Sequence, residues 1–404
     1  MRHTVREGID LTEEQKEFIE LARNFAEREI RPRARDVDEG DVHPPLDLWA
    51  KAAAVGLVSY MLPSGYGGGG VTDAVTQCLV QEELCYGDIG IGNFLTSAAF
   101  FAGPVDALGN EEQKQRWLWP LSSDNPPVTA VAVTEPDVGS DAAAIQTRAV
   151  RDGDDYVITG QKTWISNAPI ADWMVVFATV DPQLRSKGVT AFVVSTDQAG
   201  VSLGQPMGKL GQRGTLNGEV FLDHVRVPAS ARLGDEGQGF YGMMHTFDAS
   251  RILIGAACTG LSRAALDASV AYAQSRTQFG KPIIDHQAVA FRLADMAART
   301  DISHLTTMRA ARLYDAGHQV ARESAVAKLT ASENTSWVTN AAVLTHGGWG
   351  YSREFLVEKW WRDAKLEELE EGTSDIQRLI IARSLGLKRQ PIGDTQKSMA
   401  NASS

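Results

Sequence analysis

Hydrophobic periodicity divides the 404-residue chain into three stretches of different character. Near the start, Phe18, Leu21, Ala22 and Phe25 recur at helical spacing behind Thr12, and Gln15 stands three residues after Thr12 in the capping-box arrangement. Pro32 then ends or bends that helix, because it has no amide to donate and crowds the preceding turn. Helical patterns continue over about 46–58, 74–85, 92–108 and 111–121. They are interrupted at Pro63-Ser64-Gly65-Tyr66-Gly67-Gly68-Gly69-Gly70, whose glycines read as a flexible loop: no strand precedes them and no Lys-Ser/Thr pair follows, as a phosphate-cradling loop needs. After Asn125-Pro126-Pro127 the period changes. β-branched runs at 129–133, 156–159, 174–179, 190–195 and 219–222 alternate with turn residues, and Asp152-Gly153-Asp154-Asp155 is a hairpin signal. Past 235–239 helical periodicity returns over about 240–275, 284–317 and 321–344, with a last helix after Thr373; long helices joined by short loops predict an antiparallel bundle. The pattern thus predicts a mainly α fold with a central β domain. Its parts are an N-terminal helical domain over 1–127, a middle antiparallel β domain over 128–237, a C-terminal helical bundle over 238–388, and a polar tail over 389–404 expected to be disordered.

Composition narrows the classes. Hydrophobic residues make up 43% of the chain, enough for a sizeable core, and the net charge of −12 argues against a nucleic-acid partner. Cys78, Cys85 and Cys258 have neither zinc nor disulfide spacing; Cys78 and Cys85 stand two helical turns apart and are expected in a core. No His-x-x-x-His pair with flanking acids occurs, so no metal site is expected. The apolar runs are too short to cross a bilayer and the N-terminus has no signal-peptide core, which makes a reducing, cytoplasmic location the default expectation.

Candidate chemistry concentrates near the C-terminus, in Glu370-Glu371-Gly372-Thr373-Ser374-Asp375. A carboxylate stands there at a helix entrance, Gly372 lets backbone approach a ligand, and Thr373 can cap the helix. Shielded from water, such a carboxylate can act on a weakly acidic C–H bond; the alternative is a solvated acidic turn, since Glu367, Glu368, Glu370 and Glu371 cluster. Upstream, Thr134 and its backbone can hydrogen-bond the edge of a flat heterocycle, and Gly139-Ser140 forms a turn open to a phosphate or carbonyl; the same residues also fit a strand end and a plain turn. Trp164 beside Ser166 offers an aromatic face next to a hydroxyl, or else a core tryptophan. Arg276 is a fixed cation suited to a pyrophosphate, or a surface charge at a helix end, and Gly347-Gly348 permits close backbone approach.

Three segments carry a resemblance to the acyl-CoA dehydrogenase family that runs over nearly the whole chain. They are Val131-Ala132-Val133-Thr134-Glu135-Pro136-Asp137-Val138-Gly139-Ser140-Asp141, Gln274-Ser275-Arg276-Thr277-Gln278-Phe279-Gly280-Lys281-Pro282-Ile283 with His286-Gln287, and Glu371-Gly372-Thr373. The resemblance implies a β-barrel or sandwich in the middle and a four-helix bundle at the end. It implies FAD as cofactor, with Val131, Val133, Thr134, Gly139, Ser140, Trp164 and Ser166 along the flavin, Trp164 on one face and Ser166 near the reactive nitrogen. Arg276, Phe279, Gln287, Gly347, Gly348, Thr373 and Asp375 would complete the cofactor site, part of it across a subunit boundary in a homotetramer built as a dimer of dimers. Ser140, Asp248, Arg251 and Gly372 would contact an acyl-CoA thioester.

By the same resemblance Glu371 removes the α proton while the β hydrogen leaves as hydride to the flavin, giving a trans-2-enoyl thioester and electrons for an electron-transfer flavoprotein. The Glu371 amide and a ribityl hydroxyl would meet the thioester oxygen, and substrate binding would expel water and strengthen the base. Some family members carry the base at the position of Ser250, which serine cannot fill. An oxidase returning electrons to oxygen shares these motifs, and a flavin-binding scaffold without catalysis is the non-enzymatic alternative. Four departures stand out. Glu370 replaces a tyrosine and could raise the pKa of Glu371, face solvent or meet a polar substrate group, the last two being favoured; Leu366-Glu367-Glu368-Leu369 replaces more apolar or aromatic residues; and Leu344 and Asp375 replace glutamines and alter details of the FAD contact. Phe94, Leu95, Phe100 and Phe101 either shape the acyl pocket or belong to the core.

Overall fold

In the computed structural model, which describes residues 11–41 and 43–387, the capping box at Thr12 forms: its hydroxyl oxygen accepts the Gln15 amide at 3.2 Å and the Gln15 side chain accepts the Thr12 amide at 3.0 Å. The polar tail expected over 389–404 lies outside the described residues. Helix α1 (Glu13–Phe25) does not end at Pro32. A π turn (Ala26–Ile30) intervenes, and α2 (Arg31–Gly40) carries the proline in its first turn, where the missing amide costs nothing.

Helices α3 (Leu46–Ala54), α4 (Ala74–Gly87), α5 (Ile89–Leu95), α6 (Ala98–Leu108) and α7 (Glu111–Leu118) complete the N-terminal layer. The helix expected over 92–108 is therefore two, broken where the Thr96 hydroxyl bonds back to the Gly92 carbonyl at 3.1 Å. The glycine loop is packed rather than free: a Cβ on Gly68 would lie 2.3 Å from the Leu62 carbonyl oxygen, and the Gly69 amide donates to Ser59 at 3.0 Å. Glycine serves close approach here. Helix α4 is sandwiched between α1 and the bundle, and Cys78, Cys85 and Cys258 are all buried.

The middle of the chain forms one eight-stranded sheet. Its strands are β1 (Thr129–Ala132), β2 (Arg148–Asp152), β3 (Asp155–Ser166), β4 (Trp173–Thr179), β5 (Val189–Ser195), β6 (Val201–Leu203), β7 (Asn217–Pro228) and β8 (Arg232–Leu233). The order is β6-β7-β3-β2-β4-β5-β8, with β1 beside β4. Asp152 pairs with Asp155 around Gly153, whose φ of +63° closes the hairpin. The sheet is not wholly antiparallel, because β1 and β2 run parallel to β4 and long connections return the chain between them. Strand β3 slips register against β7 between Lys162 and Ile165, and this bulge turns Trp164, at φ +59°, out of the core.

Helix α8 (Gly239–Ser275) leads from the sheet into the bundle. A two-stranded hairpin of β9 (Thr277–Gln278) and β10 (Lys281–Pro282) follows, then α9 (Gln287–Asp315), α10 (Ala321–His346), α11 (Val357–Ala364) and α12 (Ser374–Ser384). Helix α10 packs on α8, α9, α11 and α12, and its buried residues are mostly Ala, Ser and Thr, which allow close helix approach. Helix α11 is not marked by the long periodic segments. It docks through Lys359, buried between Asp88 and Asp363, whose Oδ2 lies 2.6 Å from the ammonium. No helix among the described residues is long and apolar enough to cross a membrane.

Candidate active site

The chain leaves α11 through a short 3-10 turn (Leu366–Glu368) and enters α12 with Thr373 as N-cap, whose hydroxyl oxygen accepts the Ile376 amide at 3.3 Å. Between them Glu371 and Gly372 both adopt left-handed backbone, at φ +46° and +92°. A side chain rarely tolerates this at Glu371, so neighbours must hold it. Gln377 Nε2 donates to the Glu371 and Gly372 carbonyls at 3.2 and 2.8 Å, Lys328 Nζ to Gly372 at 3.0 Å, and Arg251 Nε to Glu371 at 3.3 Å.

The Ser250 hydroxyl donates to Glu371 Oε2. Although Glu371 keeps part of its surface open, its carboxyl lies deep among protein atoms, and burial raises its pKa to about 7. The Ser250 hydrogen bond opposes that rise, Glu370 adds to it, and Arg251 and Lys328 draw it back. Asp248 accepts Arg251 Nη1 at 3.0 Å, and burial raises its pKa. The structure thus brings Asp248, Ser250, Arg251, Glu371 and Gly372 together.

Glu370 turns its carboxyl inward rather than to solvent, which corrects the solvent expectation, and it adds to the rise of the Glu371 pKa, the less favoured alternative. Its carboxyl hydrogen-bonds with Glu367, a residue without exposed surface, and burial raises the pKa of both. Glu367 also accepts Gln212 Nε2 and lies 3.6 Å from Cys258 Sγ. Two lysines draw Glu370 inward: the buried Lys328 and the half-buried Lys209, the latter pushed down to about 8 by burial. The acidic run is therefore not a solvated turn, because Glu367 and Glu370 turn toward these cations.

A second group of site candidates lies at the ends of β1 and β3. Lys162, with no exposed surface, donates to the Val133 carbonyl at 3.0 Å and to Glu135 Oε1 at 2.8 Å; the Thr163 amide donates to the Thr134 carbonyl at 2.9 Å. Glu135 also accepts the Gln146 and Thr147 amides at 2.7 and 2.9 Å. Burial works to raise Glu135, but Lys162 and these amides outweigh it and hold the carboxyl below its ordinary range. Asn217 Nδ2 donates to the Trp164 carbonyl at 3.2 Å and to Ser166 Oγ at 3.1 Å, while Lys209 fixes Asn217 Oδ1 at 2.6 Å. Ser166 therefore keeps its own proton for a ligand. Trp164 is 58% exposed, so it is not a core residue, and a Cβ on Gly139 would meet nothing within 4 Å. A free aromatic face, a hydroxyl donor beside it and an open turn fit a flat heteroaromatic cofactor with a polar edge.

The remaining candidates lie apart. Arg276 caps α8, Phe279 is 94% exposed with its ring edge-on to His286 at 5.8 Å, Gln287 opens α9, and Gly347 closes α10 beside Gly348. Asp375 is exposed and accepts Arg378 Nη1 at 3.5 Å. No hydrogen bond or ring contact among the described residues joins this set to the Trp164 group. Phe94, Leu95 and Phe101 are core residues, Phe94 packing on Trp49 at 5.1 Å between ring centroids. Val131, Val133 and Ser140 keep some exposure.

Reasoning from sequence misses Ser250 as the partner of Glu371, and also Lys328, Gln377, Asn217 and the Lys162–Glu135 pair. One signal was present for Lys328: it stands alone among Ala, Ser and Thr on α10, on a helix otherwise suited to burial.

Comparison with known proteins assigns the class. The N-terminal, middle and C-terminal domains of acyl-CoA dehydrogenases match residues 12–125, 130–225 and 237–386. The chain belongs to the acyl-CoA dehydrogenase family, oxidoreductases that dehydrogenate acyl-CoA. Among its relatives, a probable acyl-CoA dehydrogenase of Bacillus subtilis is 42% identical over 94% of this chain and 99% of its own length. The cyclohex-1-ene-1-carbonyl-CoA dehydrogenase of Geobacter metallireducens is 41% identical over 93% of this chain and 98% of its own. The structure of butyryl-CoA dehydrogenase from Megasphaera elsdenii superimposes with a TM-score of 0.90 at 33% identity, covering 93% of this chain and 99% of that one.

Proposed function

We propose that this protein binds FAD and removes hydrogen from the α and β carbons of an acyl-CoA thioester, with Glu371 as the general base. The observation that carries this reading is the state of Glu371: a deep carboxyl with a pKa near 7, hydrogen-bonded by Ser250, in a left-handed turn tied down by three side chains. A base so placed is partly ionised at neutral pH and more basic than a solvated carboxylate. Ser250 occupies Oε2 and leaves Oε1 free to take the α proton. The Glu371 amide would donate to the thioester oxygen as charge develops there.

Trp164, Ser166, Thr134 and the Val131–Val133 strand end would hold the isoalloxazine, with Ser166 donating to it and Gly139-Ser140 leaving room beside it. Arg276, Phe279, Gln287, Gly347, Gly348, Thr373 and Asp375 would serve the rest of the cofactor. The Thr373 hydroxyl oxygen already caps α12, so it would contribute backbone. When bound, FAD supplies the acceptor for the β hydrogen as hydride. Asp248 and Arg251 would border the thioester, with Arg251 fixing the base turn. The exposure of Phe279, Leu344 and Tyr351 in a single chain supports a homotetramer that covers them. An electron-transfer flavoprotein would be the acceptor, as the family resemblance implies.

The test is an anaerobic titration of the FAD-loaded protein with short, long, branched, cyclic and dicarboxylic acyl-CoAs. Bleaching of the flavin band by one class supports dehydrogenation and identifies the acyl group, whereas no bleaching across the panel contradicts it. Reoxidation at comparable rates by oxygen and by an artificial acceptor would convert the reading to an oxidase.

A further inference from the structure

The buried ammonium of Lys328 takes no part in the reaction above, and its one hydrogen bond among the described residues goes to a backbone carbonyl rather than to the carboxyls of Glu367 and Glu370 beside it. Gln377, equally buried, is the second group committed to the same turn, with one side-chain nitrogen shared between two consecutive carbonyls. In a trans peptide the carbonyl of one residue and the amide of the next point in opposite directions. Drawing the Glu371 and Gly372 carbonyls toward α10 and α12 therefore turns the Gly372 and Thr373 amides the other way, and among the described residues neither amide donates a hydrogen bond. The left-handed Glu371 backbone, at φ +46°, is strained and persists only where neighbours over-determine it. The space is fully used: a Cβ on Gly372 would sit 2.8 Å from Gln377 Nε2.

We propose that Lys328 and Gln377 are positioning residues of the reaction, clamping the base turn from α10 and α12 so that the Glu371 carboxyl presents one fixed geometry to the thioester. This rests on the assignment of Glu371 as the base. The clamp acts through hydrogen bonds to the backbone, and Lys328 adds a charge. Glu371 is faced by Ser250 and Arg251 from α8, by Glu370 from its own loop and by Lys328 from α10; Asp248 lies behind Arg251, and Glu367, Lys209 and Cys258 lie behind Glu370. Gln377 offers the same hold without charge, so the two contributions separate by mutation.

The experiment compares Lys328→Met and Gln377→Leu with the parent and with Glu371→Gln, all loaded with FAD. Three quantities are read: the limiting rate of anaerobic flavin reduction, its pH dependence, and amide hydrogen exchange across residues 366–378. Displacement of the base by about 1 Å predicts a rate loss of about 10²-fold in Lys328→Met and about 10-fold in Gln377→Leu, with faster exchange in both. Only Lys328→Met should move the acid limb to higher pH, because only there does Glu371 lose a cation that draws its pKa down. Near-parental rate and exchange in both variants, with Glu371→Gln inactive, overturns the clamp while leaving the base in place. Full activity in Glu371→Gln overturns the underlying assignment instead. If Lys328→Met does not fold, Gln377→Leu decides alone, and a parental rate and exchange there overturns the proposal.

Discussion

Lys162 and Lys328 are both buried without exposed surface, and each steadies one half of the site, yet they are balanced differently. Lys162 has a dedicated carboxylate: Glu135 at 2.8 Å, itself satisfied by two backbone amides. That closed pair holds the end of β1 against the bulge in β3, beneath the proposed flavin face. Lys328 instead lies among three carboxyls, Glu367, Glu370 and Glu371, and donates to a carbonyl. Burial raises the pKa of all three, and the nearby cations lower them without cancelling that rise. A closed pair makes a rigid, unreactive support, and an underbalanced cluster makes a base. The same residue type thus serves architecture in one place and chemistry in the other.

The largest structural effect should come from opening the closed pair. Lys162→Met strands Glu135 in the interior and should cost about 3–5 kcal/mol of stability at pH 7, read by denaturant unfolding. Glu135 is held below its ordinary range, so its stabilisation is present above the unfolded carboxyl pKa and lost as pH falls through the folded value. The deficit of the variant should therefore shrink in acid, and an undiminished deficit there would show that packing rather than charge dominates. A smaller effect is expected from Asn217→Ala, which removes the bonds to the Trp164 carbonyl and to Ser166. FAD affinity of the stripped protein should fall about 10-fold by fluorescence titration, as for roughly one net hydrogen bond. Unchanged affinity would remove the Asn217 support from the flavin face.

The smallest effect sharpens the other half of the contrast. Ser250→Ala withdraws the hydrogen bond that holds the Glu371 pKa down, so the acid limb of the flavin-reduction rate should move to higher pH. The plateau rate above that limb should change by less than about 10-fold. A limb that stays in place would mean that Ser250 does not bear on the reacting carboxyl.

Much of this arrangement is legible before folding because its signals are local. Thr12 and Gln15 stand within one helical turn, Gly153 follows Asp152 in the hairpin, and Thr373 precedes the helix it caps. The helix–sheet–helix order follows from a period that changes twice along the chain. What is not legible depends on distant partners. Ser250 meets Glu371 across 121 residues, Lys328 meets Gly372 across 44, and Lys162 meets Glu135 across 27. A lone lysine or glutamate reads as surface because burying it is costly, and only the folded chain supplies the partner that offsets the cost. Glu370 is misread toward solvent for that reason, while Trp164 is ambiguous because a bulge, not its hydrophobicity, turns it outward. The split of 92–108 depends on one hydroxyl at Thr96 that competes with helix hydrogen bonds.

The base assignment is tested most directly by Glu371→Gln, loaded with FAD, saturated anaerobically with an acyl-CoA that bleaches the parent, and followed by stopped flow. Retained flavin and thioester binding with reduction slowed by about 10²–10⁴-fold is the predicted result. Reduction at a near-parental rate would place the proton acceptor elsewhere and contradict the account.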